Sequence, residues 1–140
     1  MRTVTLVLGL CLVGGCTSEG TQTAGTAKPI IRGVHTGEKT KVGFYYTIFP
    51  TCESEGYTEI TVVKAPKHGR VSSDQGQDYP NFARDNVRWE CNRKLVPSTQ
   101  VFYQSDAGFQ GKDAFSITVR SPSSGVRTDY YDVQVMPTAQ

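Results

Sequence analysis

Four cysteines, two histidines and a cluster of glutamates are the residues of this chain whose types could do chemistry. A Ser-His-Asp hydrolase would need His35 or His68 as its general base, and the serine would normally sit in a Gly-x-Ser-x-Gly elbow. No such elbow occurs in the sequence. Glu53, Glu55 and Glu59 are near enough in sequence to raise the question of a glycosidase, which needs two carboxylates in contrasting environments. They fall, however, in a turn-rich stretch that reads as solvated loop. Phosphate-cradling glycine loops are absent, and two thiols with two distant histidines lack the ligand spacing of a metal site. No catalytic residue, metal or cofactor is expected.

The cysteines separate by position. Met1-Arg2 is a short basic start, Val4 to Val13 is mostly apolar, and Gly14-Gly15 lies directly before Cys16. A charged beginning, an apolar run of about ten residues and small residues at the cut describe a secretory signal peptide. The run is far shorter than the roughly 20 residues that span a bilayer, which argues against an uncleaved anchor. Val13-Gly14-Gly15-Cys16 resembles the lipobox of bacterial lipoproteins. The resemblance implies that residues 1–15 are removed and that Cys16, lipidated, becomes the first mature residue. Bulky Leu10 precedes Cys11, so Cys11 is no rival. Residue 17 is Thr rather than Asp, which by resemblance to Gram-negative lipoproteins implies the outer membrane. The alternative is an ordinary signal peptide cut nearby, leaving Cys16 as a free thiol.

Cys52 and Cys91 remain, and an isolated pair in an exported protein favours a disulfide. Closing that ring is worth about 4 kcal/mol in the chain-entropy model. A thiol nucleophile or redox pair is the rival, but neither cysteine sits in a Cys-x-x-Cys motif. The 125 residues left after removal of 1–15 suit one domain, and the signal takes one basic residue and no acid, leaving a net charge of +1. That balance argues against nucleic acid, which requires clustered Lys and Arg. The richest basic stretch, Arg84, Arg88, Arg93 and Lys94, is interrupted by Asp85 and Glu90 and reads as a solvated strand face.

The elements that must position these residues are strands. After a tether over 16–28 with no large apolar residue, whose span is roughly 20 Å, the folded part is expected over 29–136. Val42, Phe44, Tyr46 and Ile48 alternate with Lys41, Gly43, Tyr45 and Thr47; Ile60 and Val62 with Glu59 and Thr61. Phe115, Ile117 and Val119 alternate with Ser116 and Thr118, and Tyr131, Val133 and Val135 with Asp132 and Gln134. Val87–Glu90 and Val101–Gln104 are shorter candidates. Turn chemistry falls at 55–56, 66–69, 75–76 and 121–125. The pattern predicts an all-β fold, a single antiparallel sandwich, with a small barrel as the other option.

Ala65-Pro66-Lys67-His68-Gly69-Arg70-Val71, then Val101-Phe102-Tyr103, then Gly108-Phe109-Gln110-Gly111-Lys112-Asp113-Ala114-Phe115 resemble the bacterial immunoglobulin-like, cadherin-like repeats of surface and secreted proteins. The resemblance covers roughly residues 60–120 and implies an Ig-like sandwich. Each residue then has a structural role. Gly108 and Gly111 supply positive φ, Phe109 covers the end of the core, Phe115 takes an inward place, and Asp113 caps turn amides. His68 reads as a packed hairpin residue. Tyr103 is followed by Gln104-Ser105 where the family often has Tyr-x-Pro, and the acidic clusters that hold calcium in cadherins are missing. The cysteine pair resembles that of small exported single-domain versions, in which Cys52 would tie an early strand to the segment before the final hairpin.

Tyr45 and Tyr130 fall on outward faces of this alternation, while the orientation of Trp89 is open. Cross-strand support of the sheet accounts for the two tyrosines, so no binding residues are assigned. The function expected is a lipid-anchored envelope protein whose non-catalytic Ig-like domain serves protein interaction, adhesion or scaffolding. The alternative is an inhibitor or a carbohydrate- or ligand-binding accessory module of an extracytoplasmic enzyme.

Overall fold

The computed structural model describes residues 27–138. Cys16, the signal segment and most of the tether therefore lie outside the described residues. Seven strands follow one another: β1 (Ile30–His35), β2 (Thr40–Tyr45), β3 (Glu59–Lys64), β4 (Gly69–Asp78), β5 (Val96–Ser105), β6 (Gly111–Ser121) and β7 (Gly125–Met136). They form two sheets, β1-β7-β6-β3 and β2-β5-β4. This is the strand order of an Ig-like sandwich, all-β as the alternation predicts. All pairs are antiparallel except β1 with β7, which run parallel.

The longest period-two runs bury the residues that their alternation points inward. Phe115, Ile117, Val119, Tyr131, Val133 and Val135 line one side of the core, and Val101 and Tyr103 line the other. Three rings stack across it: Tyr103 on Phe115 at 6.1 Å, and Phe115 on Tyr131 at 4.6 Å. Burial of each such side chain is worth about 1.5–3 kcal/mol.

β2 departs from its alternation. A bulge between Lys41 and Gly43 inserts a residue, so Gly43 faces Val101 and Tyr45 faces Thr99. A one-residue shift moves every later side chain to the opposite face. Tyr45 is therefore buried rather than outward, and its hydroxyl meets the Tyr131 hydroxyl at 2.7 Å and donates to Asp129 Oδ2 at 2.8 Å. Phe44 and Tyr46 stack together on the other face at 5.9 Å. Burial, foremost, and the Tyr131 hydroxyl push the Tyr45 phenol far above its ordinary pKa.

Three further expectations need correction. Val87–Glu90 is not a strand: Asn86 Oδ1 accepts from the Arg88 N–H at 2.9 Å, and a 3-10 helix follows over Trp89–Arg93. Gln75-Gly76 is not a turn but the interior of β4, where the missing side chain of Gly76 leaves room for Gln100. Gln100 Nε2 thereby donates to Asp78 Oδ2 at 2.9 Å. On the edge strand β3, Val62 is exposed although its partner Ile117 is buried, and a second bulge follows at Val62–Lys64.

Candidate functional site

The motif residues converge on one joint. The β3–β4 turn, β5 and the start of β6 meet at Asp113, which is buried. Its Oδ1 accepts from the Lys67 and Ala114 backbone N–H groups at 2.9 Å each, and its Oδ2 accepts from the His68 N–H at 3.0 Å. The Tyr103 hydroxyl, fully buried, donates to Oδ2 at 2.9 Å. Burial by itself would raise this carboxyl, but the three amides and the phenol favour its charged form more strongly, so its pKa lies below the usual carboxylate value. The same carboxylate and burial, burial first, raise the Tyr103 phenol.

The remaining motif residues brace this joint. Gly69 lies so close to β5 that a Cβ would stand 2.5 Å from the Gln104 carbonyl and 2.9 Å from the Tyr103 ring. The His68 ring stacks on Phe109 at 4.1 Å, with their planes 10° apart. Gly108 and Gly111 hold φ of 77° and 128° in the connection that carries Phe109. Pro66 precedes the turn residues whose amides Asp113 holds.

Neither imidazole is paired with an acid side chain among the described residues. His35 Nδ1 hydrogen-bonds the Pro137 carbonyl at 2.6 Å, and His68 is engaged by Phe109. Of the glutamates, Glu59 begins β3 and pairs with Arg120 at 3.5 Å. His68 and Asp113 line one depression, but the Asp113 oxygens are taken by four donors other than the imidazole.

Two surfaces remain. The first is at the other end of the sandwich, where residues 46–58 and 79–95 leave and re-enter the sheets. Cys52 and Cys91 are disulfide-bonded there, with their Cα atoms 5.3 Å apart. Cys52 lies in the loop after β2 and Cys91 in the 3-10 helix, so the bridge ties two loops rather than an early strand to the segment before the final hairpin. A small core of Ile48, Cys91 and Val96 forms beneath them, with Tyr46, Cys52 and Phe82 against it. Arg88 Nε donates to the Ile48 carbonyl at 2.9 Å, and Asn92 exchanges two bonds of 2.9 Å with the Phe82 backbone. Phe49, Tyr57, Tyr79, Val87, Trp89 and Leu95 are exposed on these loops, six of the twelve exposed large hydrophobic residues among those described. The Arg84 guanidinium lies over Trp89 at 5.9 Å. The basic stretch read as a strand face therefore belongs to this crossover.

The second surface is a shallow depression of about 620 Å³ on the outer face of the four-stranded sheet, beside the Asp113 joint. Lys64, Lys67, Lys112, Asp132 and Gln134 ring it over Ile31 and Ala114. Sequence reasoning missed it because its lysines come from β3, the β3–β4 turn and β6, and no local run of basic residues announces them. Tyr130 is outward and exposed, as its alternation predicts. No family model matches the chain, and no curated protein or solved structure was found to match it.

Proposed function

We propose that this chain is a lipid-anchored envelope protein, of the cadherin-like repeat class, whose Ig-like domain acts without catalysis and presents a rigid surface to a protein partner. The attachment follows from the lipobox-like Val13-Gly14-Gly15-Cys16. The stapled loop end carries the reading of interaction. Exposed aromatic side chains are the type that dominates binding energy at protein interfaces, and order before binding lowers the entropy cost of docking. Both conditions meet at Phe49 and Trp89, which stand within three residues of the bridged cysteines. Adhesion and scaffolding both draw on such a surface, with the outer membrane as the expected address.

Capture from envelope extract with the full, disulfide-bonded chain tests this reading. A partner retained by the parent protein and by Lys39→Gln, but lost with Phe49→Ala or Trp89→Ala, supports it. A partner set unaffected by both aromatic substitutions refutes it. For the anchor, the intact mass of the membrane-extracted protein is expected to show cleavage before Cys16 plus acyl mass. A soluble product cut elsewhere would remove the membrane from the proposal.

A further inference from the structure

The outer face of the four-stranded sheet holds a second site, whose shape follows from the strand register. Across β7 and β6, Gln134 faces Lys112, Asp132 faces Ala114, and Tyr130 faces Ser116. β1 places Ile31 beside Asp132, and β3 places Lys64 beside Ser116. Ala114 is thus a short side chain in the middle of longer ones, which makes the hollow. Lys67 and His68 close one end, on the turn that the Asp113 carboxylate holds by its amides.

Charge distinguishes the lysines of this hollow from Lys39 and Lys41, while Lys94, outside it, likewise has no ion-pair partner among the described residues. Lys39 pairs with Asp74 at 2.8 Å and Lys41 with Asp78 at 2.6 Å. Lys64, Lys67 and Lys112 line the depression, yet none has an ion-pair partner among the described residues, even though Asp132 shares the site. Three ammonium groups around one concavity outnumber the Asp113 and Asp132 carboxylates that share its lining, and the remaining positive charge attracts an anion. The rest of the lining narrows the class. A carboxylate at Asp132 repels a bare anion but accepts hydrogen bonds from hydroxyls, as does the Gln134 amide oxygen. Ile31 and Ala114 offer an apolar floor of the kind that the C–H face of a sugar ring covers. The volume lies within the usual range for small-ligand sites.

We propose that this depression binds an acidic saccharide, its carboxylate or phosphate groups held by Lys64, Lys67 and Lys112 and its hydroxyls by Asp132 and Gln134 over Ile31 and Ala114. The site lies away from the stapled loops and does not depend on their having a protein partner. Nucleic acid fits it poorly, because duplex binding draws on a longer array of cations without interspersed acid.

Calorimetric titration of the full chain with three oligosaccharides of equal length tests the proposal: an oligogalacturonate, a phosphorylated oligomannose and a neutral maltooligosaccharide. At least one acidic oligomer is expected to bind, more weakly as salt is raised, and whichever binds more tightly identifies the charge as carboxylate or phosphate. Lys64→Gln with Lys112→Gln is expected to weaken binding about tenfold or more, the scale of losing charge-assisted contacts. Lys39→Gln, outside the depression, is expected to leave binding unchanged. All three lysines are exposed, so matching thermal midpoints will certify that the variants are folded. Equal binding of the neutral oligomer, acidic binding indifferent to the double substitution, no binding of either acidic oligomer at millimolar concentration, or equal binding of a DNA duplex would each overturn the proposal. Aromatic loop variants that lose a protein partner while keeping the saccharide would show the two surfaces failing or holding separately.

Discussion

Replacing Asp113 with alanine would withdraw one carboxylate from four donors at once. Two of them, the Lys67 and His68 amides, fix the β3–β4 turn, the third is the Ala114 amide within β6, and the fourth is the Tyr103 hydroxyl in the core. A hydrogen bond to a charged group contributes about 1.5–3 kcal/mol, and an orphaned buried donor costs about 1–3 kcal/mol. The full sum does not apply, because water can reach the turn amides. Tyr103 cannot be reached in that way, since it is fully buried, and it keeps only the His68 carbonyl at 3.5 Å. One orphaned phenol together with a loosened turn gives a loss of about 3–5 kcal/mol. That is a large share of the 5–15 kcal/mol that holds a typical domain. Asp113→Asn keeps the shape but sets its Nδ2 against two of the four donors, since each Asp113 oxygen accepts from two, for a loss of about 2–3 kcal/mol. Urea unfolding followed by the fluorescence of the single tryptophan, Trp89, reads both. Tyr103→Phe in the Asp113→Ala background is expected to cost less than it does alone, because the phenol has already lost its partner. An Asp113→Ala loss below about 1 kcal/mol, or strict additivity with Tyr103→Phe, would refute the joint as described.

Acid is expected to weaken the fold through the same group. Asp113 and Asp78 both have pKa values held below the ordinary one despite burial, the latter by Lys41, Ser98 and Gln100. Their contribution is present above the unfolded value of about 3.9 and is lost as pH falls through the lower folded values, so urea midpoints should drop below about pH 4 and drop less steeply in Asp113→Asn. Gly69→Ala is expected to cost about 1–3 kcal/mol by forcing β4 away from Gln104 and Tyr103, measured as a shift in thermal midpoint against the parent protein. Substituting both Cys52 and Cys91 with alanine is expected to lower stability by about 4 kcal/mol for a separation of 39 residues, and hydrogen exchange should show the largest extra loss of protection within residues 79–95.

The sequence exposes the fold where alternation is long and uninterrupted. β6 and β7 alternate along their inward residues and bury Phe115, Ile117, Val119, Tyr131, Val133 and Val135 accordingly. Alternation misleads where one residue is inserted: the bulge after Lys41 reverses Tyr45, and nothing in Val42-Gly43-Phe44 distinguishes an extra residue from a regular strand. β1 and β4 escape notice for other reasons. β1 has the inward residues Ile30 and Val34 but is interrupted by Arg32, whose Nε donates to the Val42 carbonyl at 2.6 Å. β4 is an edge strand of polar residues that gains its place from the ladder to β5 rather than from burial. The loop disulfide follows from the arithmetic of an isolated cysteine pair, whereas the lysine depression needs three distant segments brought together and leaves no local trace.

The two ends of the sandwich are built by opposite means, which explains where the surfaces for recognition lie. At the Asp113 joint the chain closes tightly: a short turn, a glycine pressed on β5 and an imidazole stacked on Phe109 leave little backbone free to vary. Side chains can change only on the outer sheet face beside it, where the alternating positions Lys112, Ala114, Asp132 and Gln134 point away from the core. At the other end the connections are long, and a long loop ordinarily surrenders rigidity as it gains exposed surface. The Cys52–Cys91 bridge and the small core under it oppose that loss, since they anchor both loops to each other and, through Ile48 and Val96, to the sheet. Exposed aromatics can then be held in place on a connection instead of on a strand. A partner that binds there will have its affinity set by the bridge as well as by the residues it touches, because reduction returns to the loops the entropy that docking must remove.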